Sequence, residues 1–390
     1  MGQSLSHYLQ SLLPGVAAIG LEMTDTSVKM AELIVRDGKS PIVKGTAIEP
    51  LPADAVVEGR IKNVVGVMQA IRAAYARLNT RTKRVHLTLP SQHVMVRFFR
   101  FPDIPDHEMR KLVDFELKHN IHLPFEDPHY DFINQDATTE RKRLKRAKPT
   151  TGKKTDNNPD HSDPSQAADP FGGLLGQEPA ASEAEQDNKC DVMMAAASLE
   201  LIEEYKEAVT ASGLTPVSME IKAFTLYRLL KHGDDTAAEG TVLLVDINER
   251  GTDVSIYHDG KLRITRSLSV VIASSDDKPE VPEDPLEQLL LGIQASQDRD
   301  ADHIAELVHE LERLMNFYRY TLNNRDHEFN RIIVTGDIPN MKKVLDGLRG
   351  RMPQPIVEMP FGSYTDRTDR FGASHLSMAV PFGLGLRGRN

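Results

Sequence analysis

The chain has 390 residues, with 47 basic and 57 acidic side chains for a formal net charge of −10, and 40% of it is hydrophobic. That length predicts two or three domains with a sizeable core, and the acidic balance argues against a dedicated nucleic-acid binder, which needs a basic face for phosphates. One cysteine, Cys190, excludes an internal disulfide framework and a zinc site built on several thiolates.

Met1-Gly2-Gln3-Ser4-Leu5-Ser6 fits the N-myristoylation pattern, which is short and frequent by chance. Leu5, Tyr8, Leu9, Leu12 and Leu13 then form a helical stripe without Lys or Arg. Such a stripe suits docking on its own domain better than a lipid surface, where basic residues are usual. No secretory leader is read here. The longest apolar runs, such as Val242–Val245 and Ile332–Val334, fall far short of the ~18 residues that span a bilayer. A cytosolic protein is expected.

The first strand runs Val16-Ala17-Ala18-Ile19-Gly20-Leu21-Glu22 and ends in a carboxylate. A polar turn, Thr24-Asp25-Thr26-Ser27, leads to an alternating strand from Val28 to Val35 and the turn Asp37-Gly38-Lys39. Ile42 and Val43 mark a third strand. Asp37-Gly38-Lys39-Ser40 resembles the end of a P-loop, but Leu33 stands where that motif needs glycine, so it reads as a hairpin.

From Gln135 to Lys189 the composition changes. Residues 140–188 hold eight basic side chains, all before Asp156, and nine acidic ones, set among Pro, Ala, Ser, Gly and Gln. Too little apolar area is available to offset the ordering entropy, so a disordered insertion is predicted, more a spacer than a binding arm. Phe171-Gly172-Gly173-Leu174-Leu175 is an apolar island within it. The rest of the chain carries the remaining −9, so the acidity belongs to the folded body.

A second unit repeats the first. Val242-Leu243-Leu244-Val245-Asp246 is a strand ending in a carboxylate, followed by a turn through Asn248-Glu249-Arg250-Gly251-Thr252. Alternation through Val254 and Ile256 leads to Asp259-Gly260-Lys261 and a further strand, Leu262–Arg266. The ordered match of strand, acid, turn, strand and Asp-Gly-Lys hairpin points to duplication. Next, Ile304, Leu307, Val308, Leu311, Leu314, Met315 and Tyr318 recur at steps of three and four, the packing face of a helix over 303–322. Arg331–Gly336 then reads as strand and turn, and Met341–Leu348 as a helix.

Two facing hairpins can clasp nucleotide phosphates with their turn N–H groups, and the paired carboxylates can hold Mg²⁺ through water. A strand, glycine turn and helix would meet the adenosine. This pattern predicts an α/β, actin-like (ribonuclease H-like, duplicated) two-lobed fold. The candidate metal residues are Glu22 and Asp246. The candidate nucleotide residues are Thr24, Thr26, Ser27, Lys29, Asp246, Gly251, Thr252 and Gly336, for ATP with Mg²⁺. No catalytic residue is assigned.

The chain resembles the PilM family, the actin-like proteins of type IV pilus assembly. The likeness rests on Ile19-Gly20 through Lys29, Ile48-Glu49-Pro50-Leu51-Pro52, Lys83–Pro90, and Phe115-Glu116 followed by Leu123-Pro124-Phe125-Glu126. Val192–Ser198, Gly213–Val217 and Pro381–Arg387 complete it. The resemblance implies a first lobe over 1–82 with a returning helix at 214–240, and an extra subdomain over 83–213 interrupted by the insertion 135–189. A second lobe follows over 241–330, with 331–390 closing it and returning.

It also implies a cytoplasmic adaptor, peripheral to the inner face of the membrane. Such a protein captures the cytoplasmic tail of a PilN-like membrane protein and links platform to motor proteins. Candidate tail-binding residues are Leu89, Val94, Val96, Phe98, Ile121, Leu123, Pro124 and Phe125, in a groove between the first and the extra subdomain. The alternative is an ATPase whose nucleotide state gates partner binding.

Four departures fall on the nucleotide site. Glu22-Met23-Thr24 replaces an Asp-apolar-Gly turn, the glycine pair expected near Leu268–Val271 is missing, and Asp337 follows Gly336 in the adenosine turn. Lys222 stands where the resemblance puts the carboxylate that positions the attacking water. An ammonium is no general base at neutral pH without a large shift, and Glu220, two positions away, points elsewhere. Weak or absent hydrolysis is expected. His119, His122 and His129 lack the partners of a metal site, and Cys190 reads as a small filler.

Overall fold

The computed structural model describes residues 15–36, 39–136, 189–270, 285–361 and 375–388, with the side chains of Lys39 and residues 285–300 outside that description. The acylation pattern, the N-terminal stripe, the first Asp-Gly turn, and positions 137–188 of the predicted insertion with its apolar island lie outside the described residues.

β1 (Val16–Met23), β2 (Ser27–Arg36) and β3 (Lys39–Pro50) make an antiparallel meander. The short hairpin β4 (Val56–Val57) and β5 (Arg60–Ile61) leads to α1 (Val64–Leu78). Asn63 caps that helix by accepting the Gly66 N–H. β6 (Arg84–Thr88) follows, then β7 (Met95–Pro102), α2 (Asp106–His119), β8 (Pro128–Asn134) and β9 (Lys189–Ser198). After them come α3 (Leu199–Ala211), β10 (Thr215–Glu220) and α4 (Lys222–Gly233). β6 pairs parallel to β1 and β10 parallel to β6, so the first sheet has the order β10-β6-β1-β2-β3.

The second half opens on another antiparallel meander, β11 (Thr241–Asn248), β12 (Gly251–His258) and β13 (Lys261–Leu268). Asp259 and Gly260 turn β12 into β13 with positive φ at both residues, the conformation an Asp-Gly hairpin favours. α5 (Pro285–Asn316) continues into a π-helical turn at Phe317–Thr321, and its predicted apolar stripe is buried. β14 (Phe329–Asp337), α6 (Met341–Arg349), β15 (Ile356–Glu358) and α7 (Ala379–Gly385) complete the chain. The second sheet runs β13-β12-β11-β14-β15, a meander followed by two parallel strands, as in the first. The duplication read from the sequence is a duplication of topology.

Each sheet has its own core. Ile19, Leu21 and Met30 pack with Ile71 of α1 and with Leu201 and Tyr205 of α3; Val245 and Val254 pack with Leu311 of α5 and Val344 of α6.

The chain divides into a larger unit (Met1–Val96, Leu123–Tyr130, Ala195–Asn390) and a smaller one (Arg97–His122, Asp131–Met194). The smaller unit is narrower than the 83–213 expected for the extra subdomain. β6 lies inside the first sheet, and α3 packs with Val85 and Leu87 in that sheet's core, so both ends of the expected span belong to the first lobe.

In the smaller unit, Met109 and Val113 of α2 and Val192 of β9 are buried, and Phe99 stacks on Phe101 at 5.1 Å. Cys190 is buried there, and burial, helped by Asp103, Asp136 and Asp191, pushes its thiol up to about 11. It is a filler with little thiolate character. Gln135 and Lys189, the expected ends of the insertion, are ordered: the Gln135 N–H bonds the Asp191 carbonyl, and Lys189 begins β9.

Candidate functional site

In a strand, alternate side chains share a face. Ile19, Leu21 and Met23 point into the first core, which puts Glu22 with Gly20 on the opposite face. α7 covers that face so closely that a Cβ on Gly20 would lie 1.9 Å from the Pro381 carbonyl oxygen. In the second sheet Leu243, Val245 and Ile247 face their core, so Asp246 projects from the other side of β11.

Two cross-strand pairs meet here. Glu22 is opposite Lys29 in β1–β2, and Asp246 is opposite Asp253 in β11–β12. Like charges directly opposed across a ladder repel, so the second pair calls for a cation. Lys222 supplies it. Its Nζ lies 2.9 Å from Asp246 Oδ2, 3.0 Å from Asp253 Oδ2 and 3.5 Å from Glu22 Oε1. Lys29 Nζ lies 2.8 Å from Asp337 Oδ2 and 3.9 Å from Glu22 Oε2, and Asn248 Nδ2 donates to Asp246 Oδ2 at 3.0 Å. Glu22, Lys29 and Asp246 are 2%, 1% and 2% exposed.

Lys222 is the first residue of α4, where the positive end of the helix dipole disfavours a cation. The helix has no acidic residue in its first turn and no side-chain cap. The carboxylates decide the outcome. Burial pulls the ammonium down, but Asp246, Asp253 and Glu22 outweigh it and hold Lys222 well above its usual range. Burial pushes the Glu22 carboxyl up, against the pull of Lys29 and Lys222. A permanently charged ammonium cannot take a proton from water, so the residue in the expected base position holds charge and performs no acid–base step. Glu220 indeed points away: it accepts from Arg228 at 2.8 Å and from Arg387 at 3.1 Å.

The remaining candidate nucleotide residues are engaged within the protein. Thr24 Oγ1 accepts the N–H groups of Thr26 at 3.3 Å and Ser27 at 3.0 Å, so the first turn fills its own donors. Thr252 Oγ1 donates to the Val270 carbonyl at 3.2 Å. Gly336 has φ +135°, and a Cβ there would lie 1.9 Å from Ile247 O, so the glycine is required by packing on β11. Gly251 opens β12 opposite Asn248.

Mg²⁺ requires oxygen ligands at ~2.0–2.1 Å in octahedral array and keeps several waters. Here an ammonium stands between the carboxylates, and among the described residues no group of three or more His, Cys, Asp or Glu is arranged to hold a metal ion. The candidates Glu22 and Asp246 do come together, around a lysine. The residues present do not fit Mg·ATP.

Asp253 escaped the sequence reading, although the signal was there. A two-residue turn pairs Asn248 with Gly251 and so sets Asp246 against Asp253.

The candidate tail-binding residues divide. Leu89 belongs to the first core and Val94 packs against it, so both serve the fold. Phe98 is 40% exposed in the smaller unit, where Ile121 is half-buried. In the larger unit Val96, Leu123 and Phe125 are half-buried and Pro124 is exposed. Phe115 and Ile133, both exposed in the smaller unit, were not anticipated.

Two sheets of one strand order, each carrying a carboxylate near the end of its first strand, define a duplicated actin-like fold. A family model described as type IV pilus assembly protein PilM matches residues 20–147. The solved structure of a PilM-PilN type IV pilus biogenesis complex is similar over 96% of this chain and 99% of that one, at 22% identity and a TM-score of 0.68. Ethanolamine utilization protein EutJ from Carboxydothermus hydrogenoformans aligns over 96% of this chain and 90% of its own, at 12% identity and a TM-score of 0.49. This chain has the actin-like fold of the PilM-PilN complex, and its residues 20–147 are similar to PilM.

Proposed function

We propose that this protein is a binding scaffold of type IV pilus assembly that engages the cytoplasmic segment of a PilN-like membrane protein without using nucleotide. The observation that carries this reading is Lys222, whose ammonium takes the position between Glu22 and Asp246 where an ATPase of this fold needs a metal. The family match and the similarity to a PilM-PilN complex support the choice of machinery and partner. Among the described residues no helix is long and apolar enough to cross a membrane, which suits attachment through a membrane-anchored partner at the inner face. Exposed Phe98 is the anchor candidate that can change without disturbing either core.

Co-purification with a co-expressed PilN-like tail, combined with calorimetric titration of Mg·ATP, tests the proposal. Capture is expected with and without nucleotide, with no Mg·ATP heat, and Phe98→Asp is expected to weaken capture at least about tenfold, as loss of an aromatic anchor does. Tight Mg·ATP binding that Asp246→Ala abolishes, with turnover, would establish the gated ATPase instead.

A further inference from the structure

We propose that one edge of the first sheet is a contact surface for an anionic lipid bilayer. Arg36, Lys44, Arg81, Lys83 and Arg84 form its charged face, and the apolar stripe that precedes β1 is its inserted part. The surface shares no residue with the Lys222 cluster or the tail-binding candidates.

Strand register gathers these residues. β1, β3 and β6 begin, and β2 ends, at the same edge of the sheet. Val16 pairs with Val35, Arg36 with Lys39, and Ile19 with Val85, the residue after Arg84. Arg81 and Lys83 lie in the segment that leads from α1 into β6. Lys44 stands in β3 between Val43 and Gly45, which oppose Leu33 and Glu32 across an irregular step in the ladder. β6, β1, β2 and β3 are successive neighbours, so at ~4.8 Å per strand the charges span ~15 Å.

The charge there is unopposed. On a chain of net charge −10, all five side chains are exposed, and none makes an ion pair with a described residue. The acids of these strands are distant or occupied. Glu22 and Glu49 lie toward the other end of the sheet, where Met23 pairs with Val28 and Val28 with Glu49. Glu32 is buried and accepts from the Thr80 and Thr82 hydroxyls, at 2.6 Å each. Near acidic lipid each such Lys or Arg adds attraction within a Debye length.

An apolar segment enters at this edge. Leu5, Tyr8, Leu9, Leu12 and Leu13 precede β1 and lie outside the described residues. The chain reaches the fold at Gly15, where a Cβ would lie 2.7 Å from Arg36 Cγ. The stripe lacks the basic residues that an interfacial anchor uses, and the sheet edge supplies them. Arg81-Thr82-Lys83-Arg84 has no aromatic interleaved, so single-stranded nucleic acid finds no stacking platform there.

Co-sedimentation of the full chain with vesicles tests this. The vesicles are phosphatidylcholine alone, or phosphatidylcholine with about 30% phosphatidylglycerol as the anionic lipid. Binding to the anionic vesicles is expected, at least about tenfold weaker to the neutral ones. It should fall at least about tenfold as NaCl rises from about 0.05 to 0.5 M. The combined variant Arg36→Gln, Arg81→Gln, Lys83→Gln and Arg84→Gln should bind at least about tenfold more weakly. If it fails to fold, Arg81→Gln with Lys83→Gln, both in a connecting segment, is expected to shift binding in the same direction. Leu9→Asp with Leu12→Asp should weaken vesicle binding and leave the melting temperature unchanged.

Equal binding to both vesicles overturns the proposal, as does undiminished binding by the charge variants. A lower melting temperature with intact vesicle binding in the leucine variant means that the stripe docks on its own domain, and this too overturns it. Tighter binding to single-stranded DNA than to anionic vesicles would assign the edge to nucleic acid instead. Capture of the PilN-like tail should be unchanged in every variant, so loss of lipid binding and loss of tail capture are told apart.

Discussion

At Lys222 the cost of burying an ammonium is met by three carboxylates, and the balance holds only while both sides are present. Lys222→Met should destabilise by about 3–5 kcal/mol, because truncating one partner leaves buried charges unpaired. Asp253→Asn alone should also destabilise, since it removes a 3.0 Å ion pair. Added to Lys222→Met, the same change should restore about 1–2 kcal/mol, because it now removes a repelling charge opposite Asp246. Urea unfolding of the four proteins measures this reversal of sign; additive effects would mean that Asp253 and Lys222 are not coupled.

His86 gives a second prediction at this scale. Fully buried, it bonds Ser218 Oγ at 2.7 Å through Nδ1, while Nε2 has no partner among the described residues. Burial, aided by Arg387, lowers its pKa from 6.5 to about 4. Between those values the unfolded chain binds a proton that the folded one refuses. Its contribution is therefore present above pH 6.5 and lost as the pH falls toward 4, a change of order 2 kcal/mol. In His86→Met the fall in stability between pH 6.5 and 4.5 should be smaller by that amount.

At the scale of elements, α7 shows how backbone contact fixes a helix. Arg228 reaches from α4 to the Gly383 carbonyl at 2.7 Å and also holds Glu220, which Arg387 contacts beyond the end of α7. Gly20 lets β1 touch that helix at Pro381, Leu384 and Gly385. Gly20→Ala has no side chain that can yield, because the obstruction is backbone, so a loss of about 3 kcal/mol or more is expected. Limited proteolysis should then cut near the C-terminus earlier than in the natural chain; unchanged protection would mean that β1 and α7 can move apart at little cost.

Most elements were legible in the sequence because period-2 and period-3.6 patterns are local, and the repeated Asp-Gly turn exposed the duplication. The subdomain boundary was not legible. β6 is a short apolar strand whose pattern does not name its neighbour, and its parallel pairing with β1 and β10 is a long-range fact. The candidate site was half legible for the same reason. Glu22 and Asp246 were recognisable from their place in the repeat, and Lys222 from its position at a helix start. That the lysine would bind both carboxylates depends on Glu22 and Asp246, 224 residues apart in the chain, being brought together.

For the molecule as a whole, cooperativity depends on what joins two sheets that each have a separate core. α7 is one link, through Gly20 on the first sheet and through the segment before it, where Thr335 of β14 donates to the Leu376 carbonyl at 2.9 Å. The Lys222 cluster is another, with Glu22 as the first sheet's contact to Lys222, and Lys29 of β2 pairs with Asp337 of β14 at 2.8 Å. Ion pairs this deeply buried are little screened by salt, unlike the exposed Lys206–Glu203 pair on α3. The natural protein should therefore unfold in one calorimetric transition over its larger unit. In Lys222→Met the two cores lose one of the links between them, and the transition should broaden or split, with the van't Hoff enthalpy falling below the calorimetric one. Raising NaCl from about 0.05 to 1 M should leave the difference between the two proteins unchanged, because the Debye length matters only where solvent reaches the charges. A narrow, two-state transition in Lys222→Met would place the coupling in α7 and the other remaining contacts, such as Lys29–Asp337.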